Sequence, residues 1–175
     1  MRKVIFGVAN SLDNYIARSD GAVDWLMWSD ELAGFIAEFW KRIDTVVMGR
    51  KTYDVGVRES KGNPNPYPDM KTYICSRTLT PQPEQPFEIA TDVVKLVRTL
   101  KRKRGKAICI MGGGELAHPL FEAGLIDEVG VSIHPVLLGS GIPLFHQMRR
   151  QIDLRLIESK TFKNGCVLAS YAVKH

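Results

Sequence analysis

Three short clusters of glycine, hydroxyl and cationic residues carry the chemistry that this sequence can be expected to perform. Each cluster directly follows an apolar run of the kind that forms a buried strand: Gly49-Arg50-Lys51-Thr52, Ser76-Arg77 and Gly112-Gly113-Gly114. A glycine lets the backbone approach a ligand closely, and a new helix offers unpaired N–H groups to an anion. Because arginine can bind two phosphate oxygens at once, the clusters together predict a site for one extended, phosphorylated ligand such as a dinucleotide.

Taken singly, each cluster could be no more than a charged first turn or a polar start of a loop. Gly112, Gly114 and Ala117 match the G-x-G-x-x-A dinucleotide fingerprint, but that fingerprint expects an acid at the end of the next strand. Asp127 and Glu128 stand at the start of theirs. A glycine loop that cradles a pyrophosphate in another α/β fold therefore fits better.

Hydrophobic patterning predicts the elements that must position these clusters. A helix is predicted over residues 29–42, where Ser29 is a suitable N-cap and Leu32, Ile36 and Phe39 share one face. Further helices are predicted from 50, at 92–104 and at 112–123, strands at 2–9, 44–48, 71–75, 107–111 and 129–136, and a hairpin of 154–161 with 167–174. The alternation predicts an α/β fold in a single domain, 1–175: a mixed, mostly parallel sheet flanked by helices, with a C-terminal antiparallel hairpin.

Length and composition exclude several classes of protein. The 175 residues suit one domain, and 45% hydrophobic with 25% charged residues is close to the globular average. No apolar run is long enough for a secretory signal or a membrane span. The cysteines Cys75, Cys109 and Cys166 are odd in number and lack metal-ligand spacing, so we expect a reduced, cytoplasmic protein without a metal site.

The net charge of +5 invites a polyanionic partner, and most of the excess lies in the run 101–106. A nucleic-acid-binding module would use this run, but the sequence lacks the interleaved aromatic residues that single-strand binding requires. The run follows a predicted helix at the end opposite the strand-end clusters. We therefore expect it to be solvated, and expect no nucleic-acid partner.

The order of the motifs resembles the dihydrofolate reductase-like superfamily. The matching segments are Ser11–Ala17, Asp24-Trp25, Met48–Tyr53, Ser76-Arg77 and Gly112–Leu116. The tail is similar to the reductase domain of riboflavin biosynthesis, through Asp127-Glu128, His134–Gly141 and Pro143–Phe145. The resemblance covers nearly the whole chain and is closest to this second branch.

The resemblance implies a reductase with one NADPH in an extended cleft. The first cluster would hold the adenosine 2′-phosphate and pyrophosphate, the second the adenosine ribose and its phosphate, and the triglycine segment the pyrophosphate, with the nicotinamide near the first strand. The residues assigned to the cofactor are Ala9, Ile16, Gly49, Arg50, Lys51, Thr52, Ser76, Arg77, Gly112, Gly113, Gly114, Glu115 and Leu116. The arginines favour NADP over NAD, which lacks the phosphate that they would neutralise.

On the substrate side the sequence departs from both branches. Dihydrofolate reductases place a carboxylate on the first helix to polarise the pterin ring, and Asp30 or Glu31 falls about there. Asp24 stands where a proline usually precedes the tryptophan. Met111 stands where the riboflavin branch typically has a glutamate. The substrate of either branch is therefore not implied.

Three carboxylates are candidates for delivering a proton: Asp30, Glu31 and Asp13, the last through a bound water. Acids in the first turn of a helix are also expected from the helix dipole alone, and Asp13 has the plainer role of capping the loop after the first strand. Trp25 and Phe35 are assigned to the substrate.

We therefore expect an enzyme that transfers a hydride from NADPH to a C=N or C=O bond of a small, heterocyclic, pterin- or pyrimidine-like substrate. The main alternative is a catalytically idle protein of the same fold that retains a nucleotide as a sensor. Relatives of the riboflavin branch commonly dimerise, and the terminal hairpin presents strands that could pair across a two-fold axis. A homodimer is the expected assembly.

Overall fold

The computed structural model describes residues 1–145 and 147–174, and it is built around one eight-stranded sheet in the order β5-β4-β3-β6-β1-β7-β10-β9. A second sheet pairs β2 with β8. The strands are β1 (Val4–Ser11), β2 (Tyr15–Ala17), β3 (Ile43–Gly49), β4 (Lys71–Cys75), β5 (Glu88–Ala90), β6 (Ala107–Met111), β7 (Glu128–His134), β8 (Ile142–Pro143), β9 (Leu154–Thr161) and β10 (Val167–Val173). The helices are α1 (Asp30–Lys41), α2 (Arg50–Glu59), α3 (Val93–Arg102) and α4 (Gly114–Glu122).

The sheet is mostly parallel, as predicted. Strands β5, β4, β3, β6, β1 and β7 run in one direction, and the hairpin of β10 and β9 adds the antiparallel pairs. The carboxyl ends of β4, β3, β6 and β1 therefore lie side by side along one border of the sheet, which we call the carboxyl edge. The opposite border, where these strands begin, is the amino edge.

Helices cover both faces of the sheet. On one face α3 and α4 bury Val97, Leu100 and Leu120 against β1 and β6. On the other face, which we call the open face, Phe39 of α1 and Tyr53 of α2 pack against β3 and β6. The start of α1 reaches further, to the terminal hairpin, where its Leu32 joins the cluster of Phe162 and Cys166.

The predicted N-cap of α1 and the predicted turn of the terminal hairpin are both present in the structure. Ser29 is the N-cap of α1, and its hydroxyl accepts a hydrogen bond from the Leu32 backbone N–H at 3.2 Å. Gly165 adopts a φ of 87° in the hairpin turn, a left-handed value that glycine tolerates best. Three short strands, β2, β5 and β8, were not predicted, because two or three residues are too few to show a periodicity.

The expectation for the basic run 101–106 is wrong for Lys101, which is 8% exposed. Its ammonium donates to the Asp127 carboxylate at 2.6 Å and to the Leu125 carbonyl at 3.1 Å. Lys101 follows Val97 by one helical turn, so it continues the buried stripe of α3 and faces inward. The run does lie at the amino edge, as expected, but one of its cations is part of the structure.

No helix in the described part of the chain is both long and apolar enough to cross a membrane.

Candidate active site

A cleft of about 1310 Å³ lies on the open face of the sheet. Its floor is formed by β1, β7 and β10, and its roof by the apolar side of α1. Strand β2, the segment 18–28 that follows it and the start of α2 close the end near the carboxyl edge, while Lys3 and Glu128 mark the end near the amino edge. The cleft therefore crosses the sheet from one edge to the other.

Two helices begin next to each other at the carboxyl-edge end of this cleft. Strands β3 and β6 are paired, with Met48 opposite Met111, so α2 and α4 start side by side. Their N-caps are Gly49 and Gly113, and neither makes a side-chain capping bond. The first backbone N–H groups of both helices therefore remain available to an anion, and both helix dipoles favour one there.

The triglycine segment fits between neighbouring side chains and backbone. Gly112 has a φ of 122°, and a Cβ there would lie 2.5 Å from the Thr52 hydroxyl oxygen. A Cβ on Gly113 would lie 2.7 Å from the Ile16 side chain, and one on Gly114 would lie 2.5 Å from the Leu144 carbonyl oxygen. Glycine is thus required to bring the start of α4 against α2 and β2, which assembles this end of the cleft.

The cofactor residues predicted from the first cluster are placed unequally. Thr52 and Lys51, in the first turn of α2, line the cleft together with Gly112. Arg50 does not line it, and its Nε is paired with Asp54 one turn later, at 3.0 Å. This pair is exposed, and exposed pairs of this kind stabilise a helix by only about 0.3–0.5 kcal/mol, so a stronger anion can displace Asp54.

The second cluster lies beside the first, at the end of β4. The Ser76 hydroxyl accepts hydrogen bonds from the backbone N–H groups of Thr78 and Leu79, at 3.2 and 3.1 Å, and so shapes the loop. Arg77 is exposed at the carboxyl edge and outside the cleft lining. A ligand would have to extend along the edge from the cleft to reach it.

The remaining cofactor residues lie near the same end of the cleft. Ala9 on β1 and Ile16 on β2 both line it. Glu115 and Leu116 lie in the first turn of α4, where Glu115 is exposed and Leu116 packs against the core. The structure therefore presents an apolar wall from β1 and β2 next to the two helix starts.

Neither candidate carboxylate of α1 lines the cleft. Asp30 is exposed, and Glu31 points to the terminal hairpin, where it lies 3.6 Å from the Lys160 ammonium. The reason is the phase of the helix: Leu32, Phe35 and Ile36 occupy the inward stripe of α1, so its first two residues face outward or sideways. Asp30 and Glu31 therefore do not occupy the position in the cleft that the resemblance suggested for the carboxylate of dihydrofolate reductases.

Asp13 serves the loop instead of the cleft. Its carboxylate accepts hydrogen bonds from the Ser11 hydroxyl and from the backbone N–H groups of Leu138 and Gly139. The Ser11 hydroxyl and these backbone donors hold the pKa of Asp13 below its ordinary value. This is the capping role that was the plainer alternative, and a carboxyl held in its charged form is a poor proton donor.

The two predicted substrate residues differ in position. Phe35 lines the cleft from the roof. Trp25 is 6% exposed and packs edge-on against His134, with ring centroids 5.4 Å apart, and it is outside the lining. His134 in turn accepts a hydrogen bond from the Met27 N–H, and burial lowers the pKa of its imidazole. Trp25 thus fixes the segment that walls the cleft.

The floor of the cleft is the part of the site that the sequence did not reveal. It includes Gly130 and Ser132 of β7 and Ser170 of β10, which are small residues on the face that points to α1. Gly130 and Ser132 recur at every second position of β7, which is a weak signal that a strand keeps one face clear. Nothing in their types marks them as binding residues without the three-dimensional arrangement.

Comparison with known proteins identifies relatives over the full chain. The model of the RibD C-terminal domain family matches residues 2–168. The uncharacterized protein YyaP of Bacillus subtilis is 34% identical over 97% of this chain and 94% of its own length. A crystal structure of a candidate riboflavin biosynthesis protein from Shewanella sp. PV-4 has a TM-score of 0.82 and 28% identity, with 99% of both chains covered.

A more distant structure shares the fold. Dihydrofolate reductase from Enterococcus faecalis, solved in complex with NADP(H) and RAB-propyl, has a TM-score of 0.71 and 16% identity, covering 99% of this chain and 97% of its own. At this identity the likeness concerns the fold alone. The predicted dihydrofolate reductase-like fold is confirmed, and so is the resemblance to the riboflavin branch.

Proposed function

The chain belongs to the family of RibD C-terminal domains, and we propose that it is an NADPH-dependent reductase acting on a C=N or C=O bond of a small heterocyclic substrate. One observation carries the proposal: two helices without side-chain N-caps begin side by side at Gly49 and Gly113, and the adjoining Lys51, Thr52 and Gly112 line one large cleft next to an apolar wall. An anion-binding end beside an apolar end suits a molecule with a pyrophosphate and a flat ring.

The donors at this end of the cleft fit NADPH. The backbone N–H groups at the starts of α2 and α4 and the Thr52 hydroxyl would bind the pyrophosphate, with Lys51 adding charge. The apolar wall of Ala9 and Ile16 would exclude water from one side of the nicotinamide. NADPH, when bound, supplies the hydride, while the chain binds, orients and shields it.

A preference for NADPH over NADH rests on the cations of the carboxyl edge. Arg77 is exposed at the end of β4 and free to bind a phosphomonoester with two hydrogen bonds. Arg50 could join it by giving up its exposed pair with Asp54. We propose that these two arginines neutralise the 2′-phosphate.

Of the acids on α1, Asp30 and Glu31 lie outside the cleft lining, and Glu38, which lines the cleft, is exposed and paired with Lys41. The placement of these acids favours one alternative, an idle protein that binds the nucleotide without turnover. A proton taken directly from solvent through the open cleft would instead permit catalysis without a dedicated side chain.

Turnover with a substrate panel separates these two functions. NADPH oxidation is followed by the nicotinamide absorbance in the presence of reducible pterins, pyrimidines and quinoid compounds, with heat-denatured protein as a control. The reductase proposal expects saturable oxidation with at least one compound. Micromolar NADPH binding without oxidation across the panel would favour the idle alternative.

We also propose that the protein is a homodimer formed along the free edge of β9. This strand exposes Leu154, Leu156 and Ile157 by 39%, 51% and 48%, an unusual apolar content for an edge strand. Antiparallel self-pairing centred between Leu156 and Ile157 would place Arg155 opposite Glu158 of the second copy. Sedimentation should give a dimer, and Ile157→Lys should give a folded monomer.

A cytoplasmic location is part of the same proposal. Cys75, Cys109 and Cys166 are all free thiols, which suits a reducing compartment.

A further inference from the structure

The floor of the cleft contains a hollow that the cofactor and a flat ring do not account for. On three neighbouring strands, Gly7, Gly130 and Ser170 stand in one row across the sheet, and all three line the cleft. A Cβ on Gly7 would lie 3.9 Å from the Phe39 ring of α1, whereas one on Gly130 would meet nothing closer than 4.0 Å, so the open space between the sheet and α1 lies over β7 and β10. The cleft consequently extends beyond β1 over β7 and β10.

One buried polar group of the cleft floor has no hydrogen-bond partner within the described residues. Ser132 stands in the next row of the floor, between Ala9 of β1 and Leu168 of β10, and it lines the cleft. It is only 9% exposed, and its hydroxyl makes no hydrogen bond within the described residues. An unpaired hydroxyl in such a place costs stability, so a structural role does not explain it.

The small residues that form the hollow are uncharged. Gly7, Gly130, Ser132 and Ser170 carry no charge, whereas Glu158 of β9, opposite Ser170, also lines the cleft, and its carboxylate accepts hydrogen bonds and disfavours an anionic ligand. At the amino-edge end of the cleft, Glu128 is already paired with Lys3 and lies 3.6 Å from Arg42. Hydroxyl groups both donate and accept, so they complement neutral hydroxyl or carbonyl groups.

We propose that this hollow is a subsite for a neutral, hydrogen-bonding side chain of the heterocyclic substrate, and that the Ser132 hydroxyl is its anchor. The inference rests on the proposed function, because it places the reactive ring of the substrate at the apolar wall and its side chain over β7. It makes Ser132 a specificity-determining residue, and it identifies the substrate class as a heterocycle with a polar, uncharged substituent.

The test compares two ligands that share a ring. Dihydroneopterin carries a trihydroxypropyl side chain, and dihydropterin lacks it. Each is titrated by calorimetry into the full-length protein loaded with NADP⁺, the oxidised cofactor, which has no hydride to donate to the ligand. Dihydroneopterin should bind the wild type about three- to tenfold more tightly, the gain expected of one good hydrogen bond.

Two variants address the subsite, and one serves as a control. Ser132→Ala should remove the preference without lowering the unfolding temperature, because no hydrogen bond within the protein is lost. Gly130→Ala should do the same by filling the hollow; its Cβ would meet nothing closer than the Phe6 carbonyl oxygen, at 4.0 Å. Ser159→Ala, on the exposed face of β9, should keep the preference.

The subsite is overturned if the wild type binds both ligands equally or neither, or if Ser132→Ala leaves the preference intact. A lower unfolding temperature for Ser132→Ala would contradict the absence of a structural role. Failure of the proposed function gives a different result: NADP⁺ itself would not bind in the loading step. The two ligands would then be compared on the cofactor-free protein.

Discussion

At the amino edge of the sheet the buried cations are paired with groups of the protein, whereas at the carboxyl edge two helix N-termini lack side-chain caps and a cation is exposed. Arg2 at the amino edge is buried and bonds Asp44, the Thr45 hydroxyl and the Lys106 carbonyl. Lys101 is equally enclosed. At the carboxyl edge two helices begin without side-chain caps, and Arg77 is exposed.

The difference between the two edges indicates where the protein binds a ligand. Polar groups that have hydrogen-bond partners within the protein stabilise the fold, whereas polar groups without such partners are available to a ligand. The amino edge therefore contributes to stability, and the carboxyl edge binds the ligand. Net charge alone would not distinguish the two edges, because both carry cations. Variants at the amino edge should therefore change stability without changing cofactor affinity, and variants at the carboxyl edge should do the reverse.

The largest effect is expected from Lys101→Met at the amino edge. Methionine keeps the apolar stem but leaves the Leu125 carbonyl and the Asp127 carboxylate without the ammonium. We expect a loss of about 2–3 kcal/mol in the free energy of unfolding, below the usual range for a fully buried pair because the Asp127 side chain is 29% exposed.

Chemical denaturation measures this loss, and Arg104→Met is the matched control. Arg104 belongs to the same basic run but is exposed, so its substitution should change stability by less than about 0.5 kcal/mol. NADPH affinity should be unchanged in both variants. Weaker NADPH binding by a folded Lys101→Met protein would contradict the claim that the amino edge serves stability and the carboxyl edge serves cofactor binding.

At the carboxyl edge, Thr52→Val should weaken NADPH binding about tenfold, because it removes one hydroxyl donor to a charged group while keeping the shape of the side chain. The unfolding temperature should change little. Thr99→Val is the control, since the Thr99 hydroxyl bonds only the Lys95 carbonyl of its own helix among the described residues. Equal NADPH affinity in wild type and Thr52→Val would remove Thr52 from the cofactor site.

A smaller and more selective effect is expected from Arg77→Ala. NADPH affinity should fall about fivefold, the value of about 1 kcal/mol for an exposed ion pair, and NADH affinity should not change. Arg98→Ala, an exposed arginine of α3, should alter neither. If both cofactors lose affinity equally, Arg77 does not contact the 2′-phosphate.

The smallest effect is expected from His134, a group at the carboxyl edge that already has a hydrogen-bond partner within the protein. Burial lowers the pKa of His134, whose Nδ1 accepts from the Met27 N–H at 3.1 Å. The unfolded chain therefore binds a proton on His134 more tightly than the folded chain does. The contribution of neutral His134 to the free energy of unfolding is complete above a pH of about 6.5, and it is lost as the pH falls through the lowered pKa of the folded protein.

Unfolding temperatures between neutral and mildly acid pH measure this loss. His134→Asn offers an acceptor that does not titrate, and it should flatten the profile over that interval. A profile that declines equally in the wild type and in His134→Asn would assign the pH dependence to other groups.

Long, regular signals made most of the fold predictable. The bounds of β4, β6 and β9 coincide with the predicted 71–75, 107–111 and 154–161, because apolar and β-branched runs between turn residues are unambiguous. The N-cap at Ser29 was predictable because serine commonly caps helices and an apolar stripe follows it. The strands β2 and β8 are set by tertiary pairing of very short segments, which no local pattern records.

The site was predictable where backbone geometry defines it and not where side-chain direction does. The glycine at the end of β3 and the triglycine segment after β6 mark the two helix starts directly in the sequence. The directions of Asp30 and Glu31 depend on the rotational phase of α1, which is set by packing against the hairpin. Ser132 is ordinary in sequence, and only its place opposite Ala9 and Leu168 singles it out.

The central claim is that the open carboxyl edge binds NADPH, and an equilibrium titration of NADPH and NADH against the wild type tests it most directly. The fluorescence of Trp28 and Trp40, which line the cleft, should report binding. The account predicts micromolar binding of NADPH and weaker binding of NADH, with the NADPH advantage lost in Arg77→Ala. No saturable signal for either cofactor, confirmed by calorimetry on the folded protein, would contradict it.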